Sequence, residues 1–321
     1  MPNKKNGGVV PAVFDKRMLE VPIDCGYCMQ CMKKKSREWS IRLQEEIKEN
    51  TNGVFVTLTL SNESVKKLDA DIDHRIKGYD RDNKIIQLAL TRFLERWRKK
   101  YKKSIRHWIV TELGKEGTEN IHLHGIMFTD INSEEITNIW QYGFTRIHDK
   151  KKGTGYVNNQ TINYIVKYIH KQDLKHSHYK PKILATAGIG NAYKGDKNKF
   201  KGKETNTEYR TKSGHRLPLP TYYKKKIYDE EQRNKLWQEK LNENHTYVMG
   251  HKINKDDTAE IKKTEERYKI ESAKLGYQTY KDRSTIKIEN EERDKKRIER
   301  IKNTKTIEEE IKNTKYNYPD E

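Results

Sequence analysis

Cysteine is scarce in this chain, with three residues in 321. Three thiols cannot build a disulfide framework, which points to a reducing, cytosolic setting. Long apolar runs are missing as well. No stretch reaches the roughly 18 apolar residues that a membrane-spanning helix requires. The opening Met1-Pro2-Asn3-Lys4-Lys5 lacks the apolar core of a secretory signal. Hydrophobic residues make up only 33% of the chain and charged residues 36%. The length suits one or two domains. Acidic residues are the minority charge: 47 Asp+Glu stand against 67 Lys+Arg, a formal +20. That excess calls for a polyanion as partner, and nucleic acid is the one expected.

The charge is unevenly placed. Residues 228–321 carry 22 basic and 22 acidic side chains, so the whole excess lies before them. Residues 150–227 alone hold 19 Lys+Arg against four Asp+Glu. A charge run is ordinarily a solvated face, but one with so few internal acids is left for an external anion to neutralise. Beyond Tyr228 the texture changes to mixed-sign Glu, Lys, Arg and Ile with little Gly or Pro. Ile-Lys-Asn-Thr-Lys recurs there at 301–305 and 311–315, too short and local for a solenoid. This tail is expected to form long, exposed helices with no catalytic role.

The remainder alternates strand and helix patterns. Val54–Leu60 is rich in β-branched residues after Asn52-Gly53 and is a buried strand. Ile85, Ile86, Leu90, Phe93, Leu94 and Trp97 are spaced for an amphipathic helix over 83–103. Strands at 105–113 and 121–128 flank a loop at 114–120. A helix at about 133–141, a strand at 144–147 and a helix at about 158–171 follow. The Gly- and Lys-rich stretch 185–214 reads as loops. This order predicts an α+β fold, a central antiparallel sheet with helices packed on it. Three segments are expected: 1–50 with the cysteines and a basic helix, 51–227 as the core with basic loops, and 228–321 as a charged helical tail.

Ile121-His122-Leu123-His124-Gly125 sets two imidazoles on one face of a strand, where both can reach one ion. A second His-x-His, His176-Ser177-His178, lies in a polar stretch with no strand pattern. A structural pair is the plain alternative for the first as well. If 105–113 and 121–128 form a hairpin, one register pairs Glu112 with His122, Val110 with His124 and Trp108 with Ile126. Opposed residues share a face, so Glu112, His122 and His124 would offer a carboxylate and two imidazoles to Mg²⁺, Mn²⁺ or a similar divalent ion. An ordinary loop-edge carboxylate is the other reading of Glu112.

On a helical wheel over 158–171, Ile162, Ile165, Val166 and Ile169 form one apolar stripe. Tyr164 and Tyr168 fall on the other side beside Lys167 and Lys171. Tyrosines kept for packing would lie on the stripe. A phenol of pKa about 10 is a poor nucleophile, but neighbouring ammonium groups favour the phenolate. Attack on a phosphodiester polarised by a metal would give a covalent phosphotyrosine and free a sugar hydroxyl. Base stacking is the alternative that needs no chemistry.

Strand Val54–Leu60, then His122-Leu123-His124, then Tyr164 to Tyr168 resembles the ordered motif set of the HUH endonucleases. More narrowly, the chain resembles the replication initiators of the Microviridae of gokushovirus type. That narrower likeness includes Cys25-Gly26-Tyr27-Cys28-Met29-Gln30-Cys31, Arg37-Glu38-Trp39, Ala187-Gly188-Ile189-Gly190 and Leu217-Pro218-Leu219-Pro220-Thr221-Tyr222-Tyr223-Lys224. It spans about residues 20–228. The resemblance implies an HUH/RRM-like nuclease core and rolling-circle initiation: nicking of origin DNA, attachment through tyrosine, and rejoining of a displaced circle. It assigns His122 and His124 to the metal, Glu112 loosely, and Tyr164 and Tyr168 to the chemistry. It also implies single-stranded and nicked origin DNA and the host replication helicase and polymerase as partners, in the cytoplasm of an infected bacterium.

Cys25, Cys28 and Cys31 form a C-x2-C-x2-C run. Structural zinc wants a fourth ligand, which Asp24 or a distant His would have to supply; iron–sulfur clusters usually take four cysteines. Three reduced thiols at a turn is the alternative. Lys33, Lys34, Lys35, Arg37 and Arg42 follow on a helix and could position a DNA backbone. Two readings compete with the tyrosine transferase. One is a non-enzymatic, zinc-containing nucleic-acid-binding protein. The other is a relaxase or transposase with the same chemistry.

Overall fold

The computed structural model describes residues 15–20, 23–114, 119–148, 157–171, 174–176, 178–195, 207–277 and 283–302. Of the sequence expectations, most of the 114–120 loop, Ser177, residues 150–156, 172–173 and 196–206 of the basic segment, and positions 303–315 of the repeats lie outside them. The chain divides into two packed units, one of residues 42–190 with 280–321 and one of 1–41 with 191–279. The division falls within the first helix, α1 (Met29–Glu49), so that helix contributes to both.

The first unit is built on β1 (Gly53–Thr59), followed by α2 (Asn62–Asp69) and α3 (Gly78–Tyr101). The chain continues through β2 (Arg106–Leu113), β3 (Ile121–Phe128), α4 (Glu134–Trp140) and β4 (Thr145–His148). Then come α5 (Asn159–Ile165), α6 (Lys167–His170) and β5 (Ile183–Ala185). The five strands form one antiparallel sheet in the order β4-β1-β3-β2-β5. The fold is the α+β arrangement the sequence predicts.

Helix α3 begins five residues before the start expected at 83, at Gly78, where a left-handed φ of 57° suits glycine. Its Ile85, Ile86, Ala89, Leu90, Phe93 and Trp97 are buried against Val56, Leu58, Leu123 and Met127 in one core. Each large apolar side chain so buried is worth about 1.5–3 kcal/mol. The helix ends with Lys102 in the left-handed region, its N–H on the Arg98 carbonyl. Arg98, Lys99 and Lys100 in the last turn complement the helix dipole. Strand β3 lies between β1 and β2, and its alternation is visible: Ile121 and Leu123 are buried, while His122 and His124 are partly exposed.

In the second unit a short hairpin pairs β6 (Glu208–Arg210), inside the stretch read as loops, with β7 (Arg216–Pro218) just beyond it. Three-residue strands carry too little alternation to be seen in sequence. Next comes α7 (Thr221–Ile227), and Tyr209, Leu219 and Tyr223 pack with Ile41. Helix α8 (Glu230–Asn242) opens with a capping box between Asp229 and Gln232 and buries none of its residues. A second hairpin, β8 (His245–Val248) with β9 (His251–Asn254), interrupts the expected helices, and α9 (Thr258–Lys274) follows. Among the described residues, no helix is long and apolar enough to cross a membrane.

The last helix, α10 (Arg283–Lys302), belongs to the first unit and departs from the expectation of an exposed tail. Arg293 and Arg297 are each only 2% exposed, and both reach Asp82 of α3, at 2.6 and 3.1 Å. Arg293 also bonds the Glu119 carboxylate at 2.5 Å and its carbonyl at 2.9 Å. The Gly78 N–H donates to Asp294 at 2.9 Å. The sequence hid this because the burying contacts are charged, and a charged stripe reads as a solvated face.

Candidate active site

Strand β3 supplies the two histidines, and its neighbours determine what meets them. The β2–β3 register places Glu112 opposite His122, Val110 opposite His124 and Trp108 opposite Ile126, the pairing the sequence suggests. On the other side, β1 places Thr57 opposite His124. Gly125, the next residue, has no room for a side chain: a Cβ there would stand 2.5 Å from both the Trp108 carbonyl and Ile109 Cγ1. Glycine is therefore needed at the centre of the sheet for close packing.

His124 is bonded at both ring nitrogens. Its Nε2 lies 2.8 Å from Glu112 Oε2, and its Nδ1 lies 3.1 Å from Thr57 Oγ1. Lys171 pairs with the second oxygen of Glu112. His122 differs, for its Nδ1 is buried with no hydrogen-bond partner. Burial above all, with the charges of His124 and Arg300, pushes His122 down to about 4. The ring is then neutral near pH 7, the form in which imidazole binds metals. Burial disfavours ionisation of Glu112, but His124 and Lys171 outweigh it and hold the carboxyl below its usual range.

The helix expected over 158–171 is present in two pieces, α5 and α6, joined at Val166. Asn158 caps the first, its side chain accepting the Thr161 N–H at 2.9 Å. Ile162, Ile165, Val166 and Ile169 are buried, as the wheel requires. Tyr164 is 51% exposed and Tyr168 is partly buried, with their hydroxyls 2.9 Å apart. The Tyr168 ring stacks on His124, centroids 4.3 Å apart and planes within 2°. Tyr164 meets Phe55 of β1 edge-on at 6.2 Å. Both tyrosines, His124, Glu112 and Lys171 thus form one connected cluster, and Lys167 is exposed beside it.

The phenol chemistry differs from expectation at one point. The lysines do not draw Tyr168 toward phenolate. Burial, the Tyr164 hydroxyl and the Glu112 charge raise its pKa instead. Lys171 lies 5.3 Å from the centre of the Tyr168 ring, but its charge is committed to Glu112.

Two imidazoles and a carboxylate lie on this face, residue types that can serve as ligands to a divalent ion. The buried Nδ1 of His122, which bonds nothing in the protein, fits such a role. Glu112 and His124 are in contact at 2.8 Å, but the ligand atoms of Glu112, His122 and His124 are not gathered within 4.8 Å as a set. Thr57 and Phe55 were not singled out in the sequence. The signal for Thr57 was the parity of β1 against β3, which needs the register of both strands.

In the other unit, Cys25, Cys28 and Cys31 bring their sulfurs within 4.8 Å of one another and could hold a metal ion such as zinc. Among the described residues it is the one trio of His, Cys, Asp or Glu so gathered. Burial, with the thiols of Cys25 and Cys31 beside it, pushes Cys28 up to about 12. Asp24 is bonded to Lys34 at 2.6 Å. His176 and His178 hold structural partners, Glu119 at 3.2 Å for the former and Glu289 for the latter.

No curated protein and no solved structure matches this chain. Residues 53–173 match the family model described as Replication-associated protein ORF2/G2P. That span runs from β1 to just past α6, so it takes in both histidines, Glu112 and both tyrosines, and it supports a replication-initiator role of the rolling-circle kind.

Proposed function

We propose that this chain is a metal-dependent HUH endonuclease and strand transferase that initiates rolling-circle replication, and that it serves a single-stranded DNA phage of the Microviridae. The observation that carries this reading is the contact set on β3. Two tyrosine hydroxyls lie 2.9 Å apart, and one of their rings is stacked on the His124 imidazole. A tyrosine pair used only for base stacking has no need of a His–carboxylate cluster beneath it.

Glu112, His122 and His124 would hold the ion, which when bound supplies Lewis-acid polarisation of a phosphate oxygen. Tyr164 or Tyr168 attacks the phosphorus. A phenol oxygen–phosphorus bond forms, the bond to the leaving sugar oxygen breaks, the phenol loses its proton and the sugar oxygen gains one. The diester energy is kept in the phosphotyrosine, so a later hydroxyl can reverse the step and rejoin strands. Thr57 fixes the His124 ring through Nδ1, as partners of metal-binding histidines do. The neutral Tyr168 phenol matters here. Its activation must come with substrate and metal, so Tyr168 is not a standing nucleophile in the resting site. Origin DNA, single-stranded or nicked, is the substrate class. Lys167, exposed beside the cluster, is suited to hold its phosphates; Lys171 is paired with Glu112 and would do so only once the ion takes that carboxylate.

The test is incubation with Mn²⁺ and an end-labelled, single-stranded origin oligonucleotide. A labelled band that survives SDS is expected from the wild-type protein. It should disappear with EDTA and in the Tyr164→Phe/Tyr168→Phe double variant. Persistence of the band in that variant would sink the tyrosine assignment, and persistence in EDTA the metal.

A further inference from the structure

The cysteine turn is outside the replication-family match and plays no part in the strand chemistry. Its geometry is specific. The Cys25 and Cys31 sulfurs are 3.7 Å apart, and all three lie within 4.8 Å of one another. Zinc–thiolate bonds of 2.3 Å at tetrahedral angles separate two sulfurs by about 3.8 Å. One ion therefore spans the Cys25–Cys31 edge with little adjustment. A cubane iron–sulfur cluster takes four thiolates, one to each iron. Among the described residues no fourth His, Cys, Asp or Glu joins this group.

The backbone supports the same arrangement. Gly26 has φ +79°, and a Cβ at that position would meet nothing within 4 Å, so glycine serves the turn's conformation rather than its space. The turn lets the Cys28 N–H donate to the Cys25 sulfur at 3.3 Å, a bond that favours thiolate. Met32 N–H bonds the Cys28 carbonyl at 3.0 Å, which puts Cys28 and Cys31 at the start of α1. No acidic side chain occupies that first turn, and the charge of the ion would displace the proton that burial holds on Cys28. Met29 and Met32 are buried with Tyr277, anchoring the backbone that carries Cys28 and Cys31.

We propose that Cys25, Cys28 and Cys31 bind one Zn²⁺ as thiolates, with solvent in the fourth position, and that the ion fixes the turn from which α1 and its Lys33–Lys34–Lys35 run begin. Binding breaks three S–H bonds, forms three Zn–S bonds and releases three protons to solvent; no oxidant or reductant takes part.

Cobalt titration of the full-length, reduced, metal-stripped protein tests this. Co²⁺ is expected to give a thiolate-to-metal charge-transfer band that saturates at one equivalent. One equivalent of Zn²⁺ should displace it. The band should persist in the His122→Ala/His124→Ala variant, which separates it from the proposed nuclease metal, and disappear in Cys28→Ser. A second measurement needs no variant: Zn²⁺ should protect all three cysteines of the wild-type chain from alkylation, and Mg²⁺ should not. Absence of the band, equal alkylation with and without Zn²⁺, or recovery of the chain as a Cys25–Cys31 disulfide that takes up no metal after reduction would overturn the proposal. None of these results touches the tyrosine chemistry.

Discussion

At the scale of single residues, the candidate site depends on which side chain holds which. His124 is fixed from both sides, by Glu112 and by Thr57, while His122 keeps a buried nitrogen unpaired. Thr57→Val keeps the shape and removes the hydroxyl. On the proposed mechanism the variant should fold normally and need about 10–100-fold more Mn²⁺ for half-maximal nicking. An unchanged metal requirement would show that Thr57 does not orient the ligand. Much of this cluster was legible in the sequence. The Glu112–His122 pairing follows from strand parity, and the burial of Ile162, Ile165, Val166 and Ile169 follows from the helical wheel. Thr57 was not legible, because its role depends on β1 and β3 being neighbours. Nor was the direction of the Tyr168 shift. Sequence shows that Lys171 is near in helical terms, but only the fold shows that Glu112 takes its charge.

At the scale of elements, α10 is the feature the sequence concealed. Its mixed charges suit a solvated helix, yet Arg293 and Arg297 close over Asp82, which is 3% exposed. Arg293 also ties down Glu119, two residues before β3 begins. Arg293→Met should destabilise the protein by about 3 kcal/mol, the cost typical of breaking one partner out of a buried ionic set. Denaturant unfolding measures it, and a loss below about 1 kcal/mol would mean that the pair behaves as a surface ion pair. The short elements were beyond sequence reading for a different reason. β6 and β7 have three residues each, and β8 and β9 four. At those lengths turn chemistry and tertiary packing decide, rather than periodicity. The break at Val166 is also local. It separates α5 from α6 without moving the apolar stripe, so the helical wheel describes the burial although the helix is not continuous.

At the scale of the whole molecule, the excess of +20 is the broadest signal. It is consistent with a DNA-binding initiator, and it makes internal acids valuable. Glu46 is one of these. Its carboxylate is 2% exposed and pairs with Arg106, while accepting the Gly190 N–H at 2.6 Å and the Asn50 amide at 2.7 Å. Burial opposes its ionisation, but these bonds outweigh burial and hold its pKa below the ordinary 4.5. A lowered carboxyl contributes its full stability above that ordinary value and loses it as pH falls through the lowered one. Wild type should therefore exceed Glu46→Gln by about 2 kcal/mol near pH 7. The gap should shrink steadily below the ordinary carboxyl pKa. Thermal melts across pH would show it, and a gap independent of pH would contradict the assignment. The central claim, that a tyrosine of the α5–α6 segment becomes covalently joined to DNA, is tested most directly by mapping the adduct. Trypsin cuts after Lys167, so Tyr164 and Tyr168 fall in separate peptides. Mass spectrometry of the digested protein–DNA adduct should find the nucleotide phosphate on Tyr164 or Tyr168. An adduct on any other residue, or cleavage with no adduct at all, would contradict the account.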